Sequence, residues 1–449
     1  MLYQSILFLL DQPRFRLIAA VLTLTGIASS TTAETIDFSG SYRLRYESLH
    51  NGPRPDSPES DELLVSRLFA QVKFEHESLI GLFEIQDSRA WLASTGTPLG
   101  TDDVNALEPL QAWIGWRGTA DFPLQVIAGR MTKQLSTRRL VARNRFRNTS
   151  NSFSGIDAEW SGDRWRVNGF FLRPVQREPQ DRRELERNRA RVDETSSGQV
   201  FWGFELAPAQ EPSWSIHLLG LEEEDRDGFP TRDRDLVTFG AQYNTVFASN
   251  GGWHHAGEVA IQTGRSRASL DSEDRNDLDH TAWFAHGELG FTWNTPWNPR
   301  VTLSMDYGTG DRDPTDNKTE RFDTLFGARR FEYGPSGIYA VQARSNIVSP
   351  ELRWTAMKGP FELMAAWRSF WLEQPLDTHA GTGFRQKGDT RDRWVGHQVE
   401  GRVRYSINRH WQLESGAVHL DKGPVLGSDA FAQGGRDAVY IYLQTHWRW

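Results

Sequence analysis

The strongest chemical signal in this sequence is a run of basic residues without acidic neighbours. Between residues 129 and 151 there is no Asp or Glu, and the cationic residues are Arg130, Lys133, Arg138, Arg139, Arg143, Arg145 and Arg147. The planar guanidinium group of arginine matches the geometry of carboxylates and phosphates and stays charged at any working pH. The run therefore predicts a segment that binds or selects anions.

The sequence leaves two locations open for this run. It could form an exposed loop that holds the phosphates of lipopolysaccharide, or it could fold into a water-filled interior and select the anions that pass. In the second case the run would form an anion-selecting constriction.

A second group of basic residues lies in segments where apolar and polar residues alternate. In the first of these, Ile36 and Phe38 share one face, whereas Arg43, Arg45 and Glu47 share the other. A period of two is typical of a β-strand with one apolar face and one wet face. Basic residues on wet faces could be further substrate contacts, or they could form salt bridges with acidic residues on the same faces. These residues are Arg43, Arg45, Arg67, Arg353, Arg368, Arg402 and Arg404.

The alternation also indicates the fold. Charges at every second position would cost several kcal/mol each inside a β-sandwich core, but they cost little in a water-filled lumen. About 18 such segments occur, and short connections alternate with nine long ones. Outer-membrane barrels have short periplasmic turns and longer extracellular loops. We therefore predict an all-β protein, a transmembrane antiparallel β-barrel of about 18 strands with that arrangement of loops.

The N-terminus predicts export. An apolar run over residues 17–28 follows Arg14 and Arg16 and precedes a stretch of small residues that ends at Ala33. This pattern is typical of a secretory signal peptide, so we assign residues 1–33 to the signal peptide and residues 34–449 to the barrel. The chain also ends in an aromatic residue, Trp449, as expected of a last strand that is presented to the outer-membrane barrel assembly machinery.

Composition excludes several classes of protein. The 449 residues include no Cys and have a mean hydropathy of -0.58, which excludes a bundle of membrane helices, structural disulfides and cysteine nucleophiles. The 51 basic residues are mixed with 59 acidic ones, which argues against nucleic acid as a partner. No nucleophile has a base and an orienting acid at a spacing typical of a catalytic site, and no group of His residues has the spacing of metal ligands. We expect no enzymatic activity, no metal and no cofactor.

The region around the basic run resembles a known family. The segments Ala128-Gly129-Arg130, Arg138 to Val141, Asn148, Phe153 to Trp160 and Phe170 to Pro174 are similar to the alginate-export family of outer-membrane channels. The local match covers about 50 residues, and the alternating layout extends it over nearly the whole mature chain.

The resemblance implies a channel in the bacterial outer membrane that passes anionic sugars or an alginate-like uronate polysaccharide through an Arg-rich constriction. On this resemblance we expect the substrate to contact Arg130, Arg139, Arg143 and Arg145. The resemblance also implies as partners the anionic oligo- or polysaccharide, outer-membrane lipid, lipopolysaccharide and periplasmic polysaccharide-export proteins. All connections at the predicted short-turn end of the barrel are brief. A second function therefore stays open, that of a general or uptake porin for small carboxylates.

Overall fold

The computed structural model describes residues 35–135, 137–210, 213–226, 229–245, 251–271, 273–427, 431 and 433–449, so the predicted signal peptide lies outside the described residues. The strands are Thr35–His50 (β1), Ser60–His76 (β2), Leu79–Trp91 (β3), Asn105–Arg117 (β4), Leu124–Met131 (β5), Phe153–Ser161 (β6), Trp165–Gln176 (β7), Glu194–Thr195 (β8), Gln199–Pro208 (β9), Trp214–Glu223 (β10), Asp235–Asn244 (β11), Gly252–Ser266 (β12), Leu278–Thr292 (β13), Arg300–Gly308 (β14), Lys318–Thr319 (β15), Ile347–Lys358 (β16), Phe361–Trp371 (β17), Trp394–Ser406 (β18), Trp411–Lys422 (β19) and Ala438–Arg448 (β20). Two short helices, Arg182–Glu186 (α1) and Arg330–Tyr333 (α2), lie in loops. None of the described helices has the length and apolar character needed to cross a membrane.

Eighteen of these strands form one closed antiparallel barrel, as predicted; the two-residue strands β8 and β15 are additions from loops. The barrel closes because β1 pairs with β2 on one side and with β20 on the other. The closing seam runs from the pair Ser41 and Arg448 to the pair His50 and Val439. It is extended by two backbone hydrogen bonds of 3.2 Å between Gly40 and Trp449.

The two faces of the wall confirm the predicted alternation. On β1, Ile36 and Phe38 point outward with 60% and 55% of their surface exposed, while Arg43 and Arg45 point inward and are only 2% and 1% exposed. An apolar exterior around a charged interior is the reverse of a water-soluble protein. It is the arrangement expected of a barrel surrounded by lipid.

The connections at the two ends differ in length. At one end, turns of two to seven residues join the strands, and at the other end nine loops of nine to 38 residues do so. The loops used below are L2 (92–104), L3 (132–152), L4 (177–198), L5 (224–234), L6 (267–277) and L7 (309–346). Both chain ends of the barrel, at β1 and β20, lie on the short-turn side.

We call the end of the barrel with the long loops its upper end. There, L3 and L7 fill the lumen. These loops contact each other through a parallel bridge between Val141 and Phe326 and through hydrogen bonds from Phe326 N to Leu140 O and from Ala142 N to Phe326 O. Around them, two buried apolar clusters combine loop residues with inward-facing wall residues. The barrel is therefore not an empty cylinder, and its loops share a core with the inner face of the wall.

Candidate anion site in the lumen

L3, which carries the basic run, crosses the interior of the barrel. It leaves the wall at β5, and the side chain of Arg139 reaches Glu258 on β12 at 2.9 Å between Nη1 and Oε2. Further along the same loop, backbone carbonyls contact Arg43 of β1 and Arg67 of β2, on the other side of the barrel from β12. Of the two locations that the sequence left open, the structure has the loop inside the lumen.

Three of the predicted wall arginines hold the backbone of L3. Arg43 Nη1 donates to the carbonyl oxygens of Arg145 and Phe146 at 2.9 and 2.8 Å. Arg45 Nη1 donates to the carbonyl of Phe146 at 2.7 Å, and Arg67 Nη1 to that of Arg145 at 2.9 Å. A neutral carbonyl oxygen fixes a guanidinium without cancelling its charge. These contacts therefore position L3 while Arg43 and Arg67 keep their charge, whereas Arg45 also pairs with Glu47 at 2.7 Å.

Asn148 is the second anchor of L3, and its side chain is only 1% exposed. Its Nδ2 donates to the carbonyl oxygens of Ser66 on β2 and Asp103 in L2, at 2.9 and 2.7 Å. Its Oδ1 accepts a hydrogen bond of 2.9 Å from Arg43 Nη2. One amide thus joins two strands and two loops.

Most cations of the basic run find counter-charges that lie far away in the sequence. The pairs are Arg130 with Glu108, Lys133 with Asp157, Arg139 with Glu258 and Glu332, Arg143 with Glu84, and Arg147 with Asp102. The Arg139–Glu332 pair joins L3 to L7. The run lacks acidic residues along the chain but not in space, which the sequence could not show.

Arg145 differs from the other residues of the run. Its side chain is exposed and, among the described residues, forms neither a hydrogen bond nor an ion pair. Arg43 and Arg67, whose guanidinium groups approach its backbone, also form no ion pair with a described carboxylate. We call Arg43, Arg67 and Arg145 the lumenal cation group. Positive charge without a paired counter-charge in a confined space attracts anions.

Phe69 supports this group from the lumen face of β2. The guanidinium carbons of Arg67 and Arg143 lie 4.6 and 4.9 Å from the centre of its ring, within the range of cation–π contacts. The sequence analysis missed both Phe69 and the anchoring role of Asn148. The position of Phe69 between Arg67 and Gln71 on the lumen face of β2 was the available signal for this residue, whereas Asn148 carried none beyond the family motif.

The remaining predicted site residues face the lumen on β16 to β18 but are paired there. Arg353 contacts Glu351 at 2.7 Å, Arg402 contacts Glu362 at 3.2 Å, and Arg404 contacts Glu362 and Glu414 at 2.6 Å each. The side chain of Arg368 is 1% exposed and bridges Asp306 and Glu351. The structure therefore gathers Arg43, Arg45, Arg67, Arg143 and Arg145 around L3 and leaves these four apart. Within the described residues, no group of three or more His, Asp or Glu is arranged to hold a metal.

A buried carboxyl group in L2, next to the attachment of L3, makes the stability of the fold depend on pH. Asp103 is 8% exposed, and its carbonyl accepts one of the Asn148 hydrogen bonds. Burial, together with the charges of Asp102 and Glu47, raises the pKa of Asp103 to about 7. In the unfolded chain this group loses its proton near pH 4. Between pH 4 and 7 the folded state thus binds more protons, and the stability that Asp103 contributes is lost as the pH rises.

We expect Asp103→Asn to remove this loss, because the amide still accepts the hydrogen bond from Gly100 N but cannot ionise. One pKa unit corresponds to about 1.4 kcal/mol, so the difference between pH 5 and pH 8 should amount to a few kcal/mol. The measurement is the thermal unfolding midpoint in detergent at both pH values. The wild type should lose more on going to pH 8 than D103N does, while Asp121→Asn in an exposed turn should follow the wild type. Parallel curves for the wild type and D103N would contradict the prediction.

Comparison with known proteins agrees with this architecture. A model of the alginate export family matches residues 34–439, and no curated protein matches the chain. Among solved structures, the chain is similar to Pseudomonas aeruginosa OccK9 (OpdG), with a TM-score of 0.58, 12% identity, and coverage of 92% of this chain and 98% of that one. It is also similar to OccK2 (OpdF) of the same species in complex with glucuronate, with a TM-score of 0.55 and 12% identity. A third similar structure is OpdK of this species with vanillate, with a TM-score of 0.56 and 10% identity. In both comparisons the match covers 92% of this chain and 98% of the other.

Family and fold together assign the protein to the bacterial outer membrane as a channel. In such barrels the short turns face the periplasm and the long loops face the outside. The apolar exterior of the wall between them contacts lipid and lipopolysaccharide. The charged interior, the closed wall and the family match extend over nearly the whole described barrel, and the chain belongs to the alginate export family.

Proposed function

We propose that this channel conducts anionic sugars, with alginate-like uronate chains as the substrate class, past the lumenal cation group. The observation that carries the proposal is the exposed, unpaired side chain of Arg145 on a loop that crosses the lumen. A uronate carries one carboxylate per sugar ring, and a guanidinium binds a carboxylate through two parallel hydrogen bonds. Anchoring by Arg43 and Arg67 presents Arg145 to the passing chain without neutralising the site.

The comparisons support the substrate class. The family is described as one of alginate export, and a channel of the same fold has been crystallised with glucuronate, a single-ring uronate. We place the substrate contacts at Arg145 and at the exposed part of Arg143, which keeps Glu84 as its partner.

A second candidate function is the uptake of small carboxylates. It is favoured by the way L3 and L7 together occupy the upper lumen, since two inward-folded loops leave less cross-section for a polymer. OpdK, a channel of similar fold, was crystallised with vanillate, a small aromatic carboxylate. Both candidates use the same cations and differ in the size of the anion that passes.

The test is single-channel current across a planar bilayer in a KCl gradient. We expect an anion-selective reversal potential in the wild type, and Arg145→Gln should lower the ratio of anion to cation permeability by about threefold because one exposed cation is lost from a confined site. Oligo-uronates should block the wild-type current and block R145Q more weakly. Neutral oligosaccharides of equal length should not distinguish the two proteins.

Arg164→Gln is the matched control. Arg164 is an exposed arginine in a periplasmic turn, and its side chain forms no hydrogen bond or ion pair with the described residues. This substitution removes the same charge far from L3, so selectivity and block should stay at wild-type values. A cation-selective or unselective wild-type pore would overturn the proposal. Glucuronate permeation without block by longer uronates would favour the small-carboxylate channel.

A further inference from the structure

A hollow on the extracellular side lies between L4, L5 and L6. It consists of two adjoining parts with cavity volumes of about 230 and 50 Å³, which share Gln176 and Thr231 in their walls. The larger part approaches the size of a small-molecule site, for which volumes of about 300–1,000 Å³ are common. We call this hollow the rim cleft.

The ends of neighbouring strands fix the walls of the rim cleft. Gln176 ends β7, Gln199 begins β9 and Glu223 ends β10. Above them L4 and L5 approach closely, because Glu224 N donates to Gly198 O at 2.7 Å. A Cβ atom on Gly198 would lie 2.3 Å from the carbonyl oxygen of Glu224, so only glycine permits this approach. The cleft is therefore built into the barrel mouth.

Arg232 lines the cleft, and its side chain forms no hydrogen bond or ion pair with the described residues. The nearby carboxylates are already taken, because Arg234 contacts both Glu223 and Asp323 at 2.7 Å. Burial, followed by the charge of Arg321, lowers the pKa of Arg232. The guanidinium of Arg232 is thus partly desolvated and short of counter-charge, which favours an added anion.

The other lining groups suit a sugar ring. Phe229 offers a partly buried aromatic face, and the side chains of Gln176 and Ser197 form no hydrogen bonds within the described residues. The exposed carboxylate of Glu194 lies on the same wall and can accept hydrogen bonds from hydroxyl groups. A simple carboxylate would use Arg232 alone. A sugar acid would use the cation, the aromatic face and the hydroxyl partners together.

We propose that the rim cleft binds one sugar-acid residue at the extracellular mouth, with the sugar carboxylate on Arg232 and the ring against Phe229. The choice of ligand class rests on the proposed function, but the residues are separate from those in the lumen. The cleft then concentrates the substrate at the mouth, where it would capture an incoming sugar acid or hold a leaving chain end.

The experiment is saturation-transfer NMR of D-glucuronate with the full-length protein in detergent, with D-glucose as the neutral comparison. All variants carry Arg145→Gln, so that binding at the lumenal cation group is weakened. We expect R145Q to keep a glucuronate signal that exceeds the glucose signal. Adding Arg232→Gln should reduce it at least about fivefold, as expected for loss of a charge-assisted, bidentate contact, and adding Phe229→Ala should reduce it too. Arg183 on α1 is exposed, and its side chain is unpaired among the described residues. Adding Arg183→Gln should leave the glucuronate signal unchanged.

The two proposals fail in different ways. Equal glucuronate signals in R145Q and R145Q/R232Q would overturn the rim site, whatever the channel conducts. A signal that depends on Arg232 in a channel without anion selectivity would support the rim site and overturn the proposed function. Retention of the wild-type shift in electrophoretic mobility on heating shows that each variant barrel is folded.

Discussion

Replacing Asn148 with alanine is expected to release L3 from the barrel wall and to widen the channel. The substitution removes the hydrogen bonds to the carbonyls of Ser66 and Asp103 and leaves one N–H of Arg43 without its acceptor. Each buried polar group left without a partner costs about 1–3 kcal/mol. Because three such groups are affected at one position, the attached state of L3 should lose several kcal/mol.

Single-channel recording is the direct measurement. N148A should show higher mean conductance, more open-channel noise and weaker anion selectivity than the wild type, since Arg145 is no longer held at a fixed position. Asn144→Ala is the control in the same loop, because Asn144 is partly exposed and its side chain forms no hydrogen bond with the described residues. Wild-type conductance and noise in N148A would show that the Asn148 amide does not hold the loop.

Replacing Arg368 with alanine is expected to destabilise the whole barrel rather than to alter selectivity. Its guanidinium lies 2.8 Å from Asp306 and 2.7 Å from Glu351, donates to Ser349 Oγ at 3.0 Å, and lies 5.1 Å from the centre of the Tyr333 ring. Removal leaves the buried carboxylate of Asp306 with only the His286 imidazole and leaves that of Glu351 with only the partly exposed Arg353. Breaking a buried ion pair from one side costs about 3–5 kcal/mol.

The measurement is the temperature at which the folded band disappears in heat-modifiability electrophoresis, compared with that of Arg353→Ala. Arg353 contacts the same Glu351, but its side chain is 28% exposed, and solvent-accessible pairs contribute about 0–1 kcal/mol. R368A should therefore lower the midpoint far more than R353A. Similar midpoints for the two variants would contradict the idea that burial, rather than pairing itself, makes Arg368 important.

The strand pattern could be predicted from the sequence because it depends on local periodicity. The alternation of Ile36 and Phe38 with Arg43 and Arg45 follows directly from the contrast between lipid and lumen. Lengths of connections, which are also local, gave the loop side and the turn side. The short helix α1 lies in a stretch of L4 with equal numbers of basic and acidic residues and is only five residues long. The charge pattern of this stretch does not predict where such a helix begins and ends.

The candidate site was predictable in part. The basic run could be recognised, but whether each cation is paired depends on residues far away in the chain. Glu258, Glu332 and Glu84 neutralise Arg139 and Arg143 only because L3 folds across the lumen. Likewise, the sequence could not show that Arg43 and Arg67 hold carbonyl oxygens of L3. Contacts to backbone atoms leave no trace in the identity of the contacted residue.

Attachment through backbone atoms leaves the side chain at position 145 free to change. Arg43, Arg45 and Arg67 bind L3 through the backbone at positions 145 and 146, so the attachment does not depend on which side chain position 145 carries. Substitution there can alter the charge, size or polarity presented to the solute while the loop keeps its place. One substitution at position 145 could thus change the selectivity of the barrel without a second substitution to restore its stability.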